Sequence, residues 1–130
     1  MYPICERENV GVIPWSPLAA GYLARPHEEF SSTTRGHHEA EEVEVPYHTG
    51  PASREINERV AELAAEKSVT MAQIALAWHF ENDYTDAPIV GTSSIEHLEE
   101  AVEALTVSLS ASEMEYLEEP YEPVPVFGHE

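Results

Sequence analysis

Two short apolar runs, Val10-Gly-Val-Ile13 and Ala87-Pro-Ile-Val90, constrain this chain more than any other feature in it. Each has the nearly continuous apolar character of a strand buried on both faces. Each gives way to a turn of small and hydroxyl-bearing residues, Ser16-Pro-Leu-Ala-Ala-Gly21 after the first and Gly91-Thr-Ser-Ser94 after the second. Elsewhere the apolar period is that of helices. Ile56, Val60, Leu63 and Ala64 recur at helical spacing between Ala52 and Lys67, with Arg and Glu on the opposite face. Thr70 with Gln73, Ser93 with Glu96 and Ser110 with Glu113 fit capping boxes, in which a hydroxyl and a carboxyl or amide satisfy each other's free backbone N–H groups. The first box opens a largely apolar helix (Ile74, Ala75, Leu76, Trp78, Phe80) that is expected to be well buried. The second opens a helix with an apolar stripe of Ile95, Leu98, Val102 and Leu105, and the third a short helix carrying Met114 and Leu117. Pro120, Pro123 and Pro125 rule out regular structure after it.

Strand, helix, strand, helix in that order implies parallel strands joined by crossovers. Two parallel strands offer too little sheet to cover three or four amphipathic helices, so the inventory predicts part of a larger α/β architecture. Residues 1–8 read as the end of an amphipathic helix, and the chain is expected to begin in mid-element. From Ala24 to Gly50 run 27 residues with six Glu, four His and no clear period, a long loop of the kind that is usually functional or mobile. At 130 residues the chain is read as one domain, 1–130.

Charge narrows the function. Asp and Glu number 25 against 6 Lys and Arg, a formal charge of −19 with Lys67 the only lysine, so the clustered cations that nucleic acids and anionic membranes require are missing. With 42% apolar residues in periodic segments the chain is a folded one rather than a disordered acidic tail. An acid-rich, lysine-poor surface is self-repelling, and molar salt shortens the screening length to about 3 Å, so a salty cytoplasm is the expected setting. The lone Cys5 fits a reducing compartment, and no apolar run approaches the length of a membrane span, which together predict a cytoplasmic protein.

In parallel α/β architectures ligands sit beyond the carboxyl ends of the strands, which makes both turns candidate phosphate cradles. Taken in order, Gly11-Val-Ile-Pro-Trp-Ser-Pro-Leu-Ala-Ala-Gly-Tyr-Leu23, Met71-Ala-Gln-Ile-Ala-Leu-Ala-Trp78, Pro88-Ile-Val-Gly-Thr-Ser-Ser94 and His97-Leu-Glu-Glu100 resemble the C-terminal part of the aldo-keto reductases. The resemblance implies a (β/α)8 TIM barrel, of which residues 10–13 and 88–90 are strands seven and eight, and hydride transfer between a nicotinamide cofactor, NADP or NAD, and a small carbonyl substrate. It implies that Trp15 stacks on the nicotinamide ring, that Ser16, Leu18 and Gly21 line the pyrophosphate, that Thr92, Ser93 and His97 face the adenosine 2′-phosphate, and that Glu100 meets the adenine amino group. Binding is then expected to rest on stacking, backbone N–H groups and the helix start at Thr92 to Ser94, without help from a cation.

The departures from the family's pattern matter as much. Members often carry Lys where Gly91 stands, Arg where His97 stands and Asn where Ala101 stands. The family's proton-donating Tyr and its neighbouring Lys, Asp and His belong to the first half of the barrel and map onto no residue here, so the catalytic set is read as absent and the chain alone as inactive. The alternative, from another class, is a non-catalytic interaction module, or split-barrel half, whose open apolar face pairs with a partner chain. His37-His38-Glu39 lacks the geometry of a metal site, and Cys5 has no histidine partner at a recognisable motif.

Overall fold

The computed structural model describes residues 2–32 and 50–123. The predicted His37-His38-Glu39 cluster and Pro125 lie outside them. Among the described residues five α-helices follow one another: α1 (Tyr2–Glu8), α2 (Ser53–Lys67), α3 (Met71–Glu81), α4 (Ile95–Glu103) and α5 (Ala111–Glu118). Two 3₁₀ helices, Ala19–Ala24 and His27–Ser32, occupy stretches read from the sequence as turn and loop. Six residues at three per turn, in the first case broken by left-handed Ala20 and Gly21, are too few to show a hydrophobic period, which is why the pattern missed them.

α2, α3 and α5 hold the core. Val60, Leu63, Ala64, Met71, Ile74, Ala77, Leu109 and Leu117 form one buried cluster, with Ile74 wholly inaccessible at 0%. Burying a side chain of that size stabilises by about 1.5–3 kcal/mol, so the layer carries most of the hydrophobic stabilisation. α3 is buried over Met71 to Ala77 as its composition predicts, although at its end Trp78 is partly accessible and Phe80 exposed. Both Thr70–Gln73 and Ser110–Glu113 are reciprocal capping boxes. α2 ends in Ser68, which adopts a left-handed φ of 57° and donates its N–H to the carbonyls of Ala64 and Ala65. Around the core, Arg59 lies 4.5 Å over the Tyr116 ring, and the Tyr116 hydroxyl donates to Glu62.

The two apolar runs are a correction. They lie side by side in parallel, but the described residues contain a single bridge, Trp15 to Ile89, rather than a strand ladder. The Asp86 N–H donates to the Val12 carbonyl at 2.9 Å and the Ile89 N–H to the Pro14 carbonyl at 2.8 Å. The Asp86 carboxylate also accepts the Val12 N–H at 2.6 Å, and Gly11 permits the approach, since a Cβ there would stand 3.3 Å from it. Neither run is buried on both faces: Ile13 is 62% exposed, and Val10 and Ile89 are exposed as well. The physical reason is that a strand needs neighbours on both edges and layers on both faces, and the described residues supply one neighbour. The same holds for α4 and the 3₁₀ turn Ala104–Thr106 that continues it, where the whole stripe of Ile95 (72% exposed), Leu98, Val102 and Leu105 faces outward.

Candidate functional site

The bridge at Trp15 and Ile89 fixes where both runs end, and so sets the turn after residue 15 beside the turn after residue 90. A groove of about 1240 Å³ opens at the other end of the runs, between Val10, Val12, Asp83 and Asp86 and the α5 residues Met114 and Glu118. It lies at the amino ends of the parallel segments, the wrong end for ligand binding in this architecture.

In the first turn the Trp15 indole is 77% exposed, so it is free of core packing and presents an open ring face. Ser16, Ala19, Ala20 and Gly21 have φ of 55°, 48°, 56° and 94°. Left-handed conformations at non-glycine residues are strained and persist only where surrounding contacts hold them. Those contacts are visible. Ser16 accepts the Ala19 N–H on its carbonyl at 2.9 Å and the Ala20 N–H on its hydroxyl at 3.2 Å. The Leu18 carbonyl accepts the N–H groups of Gly21 at 2.9 Å and Leu23 at 3.2 Å.

Two side chains missed by the sequence reading clamp this turn from below. Asn57 on α2, 1% exposed, donates to the carbonyls of Tyr22 at 2.7 Å and Arg25 at 2.9 Å. His79 on α3 stands with Nε2 3.3 Å from the Pro17 carbonyl oxygen. A carbonyl only accepts, so this bond requires the proton on Nε2 and leaves Nδ1 a bare lone pair, buried without a partner among the described residues. Burial holds the His79 pKa below its ordinary 6.5, the Pro17 contact opposing weakly. Burial likewise pushes the Tyr22 phenol up to about 12. Both Asn57 and His79 sit within helical runs where a polar residue looks like part of the solvated face; only the packing of a distant turn against those helices reveals them.

The second turn is built differently. Thr92 accepts the Ser94 N–H on its hydroxyl at 3.2 Å, and its hydroxyl lies 3.1 Å from the Ser94 carbonyl. The helix cap is Ser94, whose Oγ accepts from the His97 N–H at 3.2 Å; the predicted Ser93–Glu96 box is therefore displaced by one residue. Ser94 is extended (φ −130°, ψ 151°), the backbone an N-cap requires. The freed Glu96 carboxylate turns back on its own N–H and the Ser94 hydroxyl, which hold it below the usual carboxylate range. Ser93 and His97 are exposed, and Glu100 is half-buried with its carbonyl accepting from Gln73 Nε2 at 3.4 Å. Among the described residues no group of His, Cys, Asp and Glu is placed to hold a metal.

The Aldo/keto reductase family model matches residues 1–122 of these 130. The chain belongs to this family. Its relatives include a Schizosaccharomyces pombe protein that carries a provisional aryl-alcohol dehydrogenase name, 40% identical over 128 residues that make up 98% of this chain and 38% of that one. The versiconal hemiacetal acetate reductase of Aspergillus parasiticus is 38% identical over 123 residues, 95% of this chain and 36% of the relative. The aldo-keto reductase AMT2 of Alternaria alternata is 38% identical over 129 residues, 99% of this chain and 34% of the relative. The chain thus spans little more than a third of the length of the curated relatives it matches. Aldo/keto reductases fold as (β/α)8 barrels and act on carbonyl compounds with a nicotinamide cofactor. Ligands of such barrels bind at the carboxyl ends of the strands, the end from which both turns leave their runs. Among the described residues no helix of this aldo/keto reductase is long and apolar enough to cross a membrane.

Proposed function

We propose that this chain is the C-terminal portion of an aldo/keto reductase barrel and carries the nicotinamide-dinucleotide half of its active site. The observation that supports the reading is the parallel Trp15–Ile89 bridge, which makes residues 10–15 and 87–90 neighbours as strands seven and eight of a barrel would be. Trp15 offers its exposed ring to the nicotinamide, and Ser16, Leu18 and Gly21 form the wall along the diphosphate. Thr92, Ser93 and His97 lie toward the adenosine 2′-phosphate and Glu100 toward the adenine. The bound dinucleotide supplies the hydride; these residues bind and orient it. The proton donor of the reaction and its Lys, Asp and His neighbours have no counterpart in this chain, so the 130 residues alone do not turn over.

Preference between NADP and NAD is weak in this reading. Glu96 occupies the positive end of α4 with its own carboxylate, and Glu99 and Glu100 follow. An exposed helix start contributes only about 0.3–1 kcal/mol toward an anion, and the neighbouring carboxylates oppose it. Calorimetric titration with both cofactors tests this: binding within about tenfold of each other is expected, and a preference for NADP beyond that, about 1.4 kcal/mol, overturns the placement of the 2′-phosphate. Gly91→Lys sharpens the test. A side chain there meets nothing within 4 Å, so the lysine fits and is expected to raise NADPH affinity over NADH. Turnover of NADPH with any aldehyde by the purified chain overturns the inactive reading.

The exposed apolar surface favours a second reading, a half-barrel that assembles with a chain supplying the remaining strands. Co-expression with the first two thirds of a relative tests it, a stable complex being the expected result. The acid excess further suits the chain to molar salt: circular dichroism is expected to show more helix in molar KCl than in dilute buffer, and equal content at both ends removes that adaptation.

A further inference from the structure

We infer that the groove at the amino ends of the two runs is a docking surface for a cationic segment of another polypeptide, one in which Arg or Lys flanks an apolar side chain. The inference is independent of the dinucleotide reading. The groove, about 1240 Å³, takes apolar lining from Val10, Val12, Leu109 and Met114. Seven carboxylates line it as well, and no Lys, Arg or His does. The side chains of Glu6, Glu81, Asp83 and Glu115 bond to nothing among the described residues. Asp86 and Glu118 are fixed by neutral donors, the Val12 N–H at 2.6 Å and the Trp78 Nε1–H at 2.9 Å, which orient the carboxylates without cancelling their charge. Of the seven, Glu119 alone meets a cation among the described residues, Arg59 at 2.7 Å.

Charge decides what can lie there. Arg7, Arg54 and Lys67 are paired with carboxylates outside the groove, Arg25 lies against Gly21, and beyond the described residues Arg35 is the only Lys or Arg. A second copy of the chain brings 25 more Asp and Glu against 6 Lys and Arg, and is repelled. The occupant is therefore a different molecule with an excess of positive charge. Its aromatic wall says more. Tyr2 and Tyr84 stack with ring centroids 5.1 Å apart and planes at 21°, and each ring is 47% exposed. A guanidinium or ammonium is attracted to such a ring face, as Arg59 over Tyr116 illustrates within the molecule at 4.5 Å. The apolar lining asks for an apolar side chain between the cations, which a metal ion or a polyamine lacks. The groove also lies at the end that ligands of parallel α/β folds leave unused, which suits it to a polypeptide rather than to substrate or cofactor.

Three probes titrated into the full chain separate the outcomes: a blocked Arg-Leu-Arg-Tyr-Arg peptide, its counterpart with Glu for Arg, and spermidine, each at the lowest KCl concentration that keeps the chain's full helix content. The Arg peptide is expected to bind, to weaken as salt rises, and to shift the methyl resonance of Met114. Glu81→Gln with Asp83→Asn is expected to weaken it about fivefold. Glu66→Gln with Glu99→Gln, the same change of net charge made outside the groove, is expected to leave it unchanged. All four side chains are exposed, and circular dichroism checks that each variant keeps its helices. No binding of the Arg peptide, equal binding of the Glu peptide or equal loss in the two double variants overturns the proposal. So does an unmoved Met114, which decides the location without recourse to the variants. Spermidine that binds as tightly as the peptide and displaces it shows a small-cation site instead, and overturns the proposal too.

Discussion

The layer formed by α2, α3 and α5 and the edge formed by residues 10–15, 87–90 and α4 are written in the same local code, and they end in opposite states. Each has a capped helix start and an apolar stripe at helical spacing. In the layer the stripe of one helix meets the stripe of another, and Ile74, Leu63 and Leu117 are buried. At the edge the stripe meets nothing among the described residues, and Ile95, Leu98, Val102 and Leu105 stay in water. Local sequence decides that an element forms; burial needs a second surface. Stability is accordingly uneven along the chain, concentrated where apolar contacts are closed and low along residues 10–15, 87–90 and α4.

Truncation mutants break this comparison most directly. Ile74→Ala in the layer is expected to cost about 2–5 kcal/mol by urea denaturation, since it removes wholly buried methyl groups and leaves a cavity. Next comes Asn57→Leu, which strands the carbonyls of Tyr22 and Arg25; about 1–3 kcal/mol is expected, with faster amide exchange over residues 19–25. Thr70→Ala removes one side of a capping box, for about 1 kcal/mol. pH sharpens the contrast by shape. Glu113 is held down to about 2 by the Lys67 ammonium and the Ser110 N–H, so its contribution is present above its ordinary 4.5 and lost as pH falls toward about 2; Glu113→Gln should remove that limb. His79 is buried neutral, so its contribution is present above 6.5 and lost as pH falls below it. His79→Gln, which keeps an N–H for the Pro17 carbonyl, should flatten the curve there. Smallest of all, Leu98→Ala at the edge is expected to change the stability of this chain by no more than about 0.5 kcal/mol. A cost like that of Ile74→Ala would show that the edge is covered in solution.

Legibility in the sequence follows the same divide. α2, α3, α5 and the Thr70 and Ser110 boxes could be read because their signals are short-range and their packing lies within this chain. The buried strands could not, because burial is a property of neighbours and not of the run itself. Capping at Ser94 rather than Ser93 escaped because Thr92, Ser93 and Ser94 are all competent caps and only the extended backbone at Ser94 chooses between them. Of the candidate site, the two small-residue turns that follow the runs were legible; the exposure of Trp15 was not, because it depends on what lies beside the run. Asn57 and His79 were hidden for the reason that hides most supporting residues: their partners are carbonyls far away in the chain.

The internally bonded turn from Ser16 to Leu23 has a thermodynamic corollary. Fixing one residue's backbone costs about 1–2 kcal/mol of conformational entropy, and here that cost is met during folding, by the Ser16 and Leu18 acceptors and the Asn57 and His79 clamps. A ligand settling on this surface meets a rigid receptor and retains the free energy that ordering a floppy loop would consume. Its heat of binding then reports stacking and charge rather than loop closure, and its association rate is limited by encounter rather than by waiting for the turn to form.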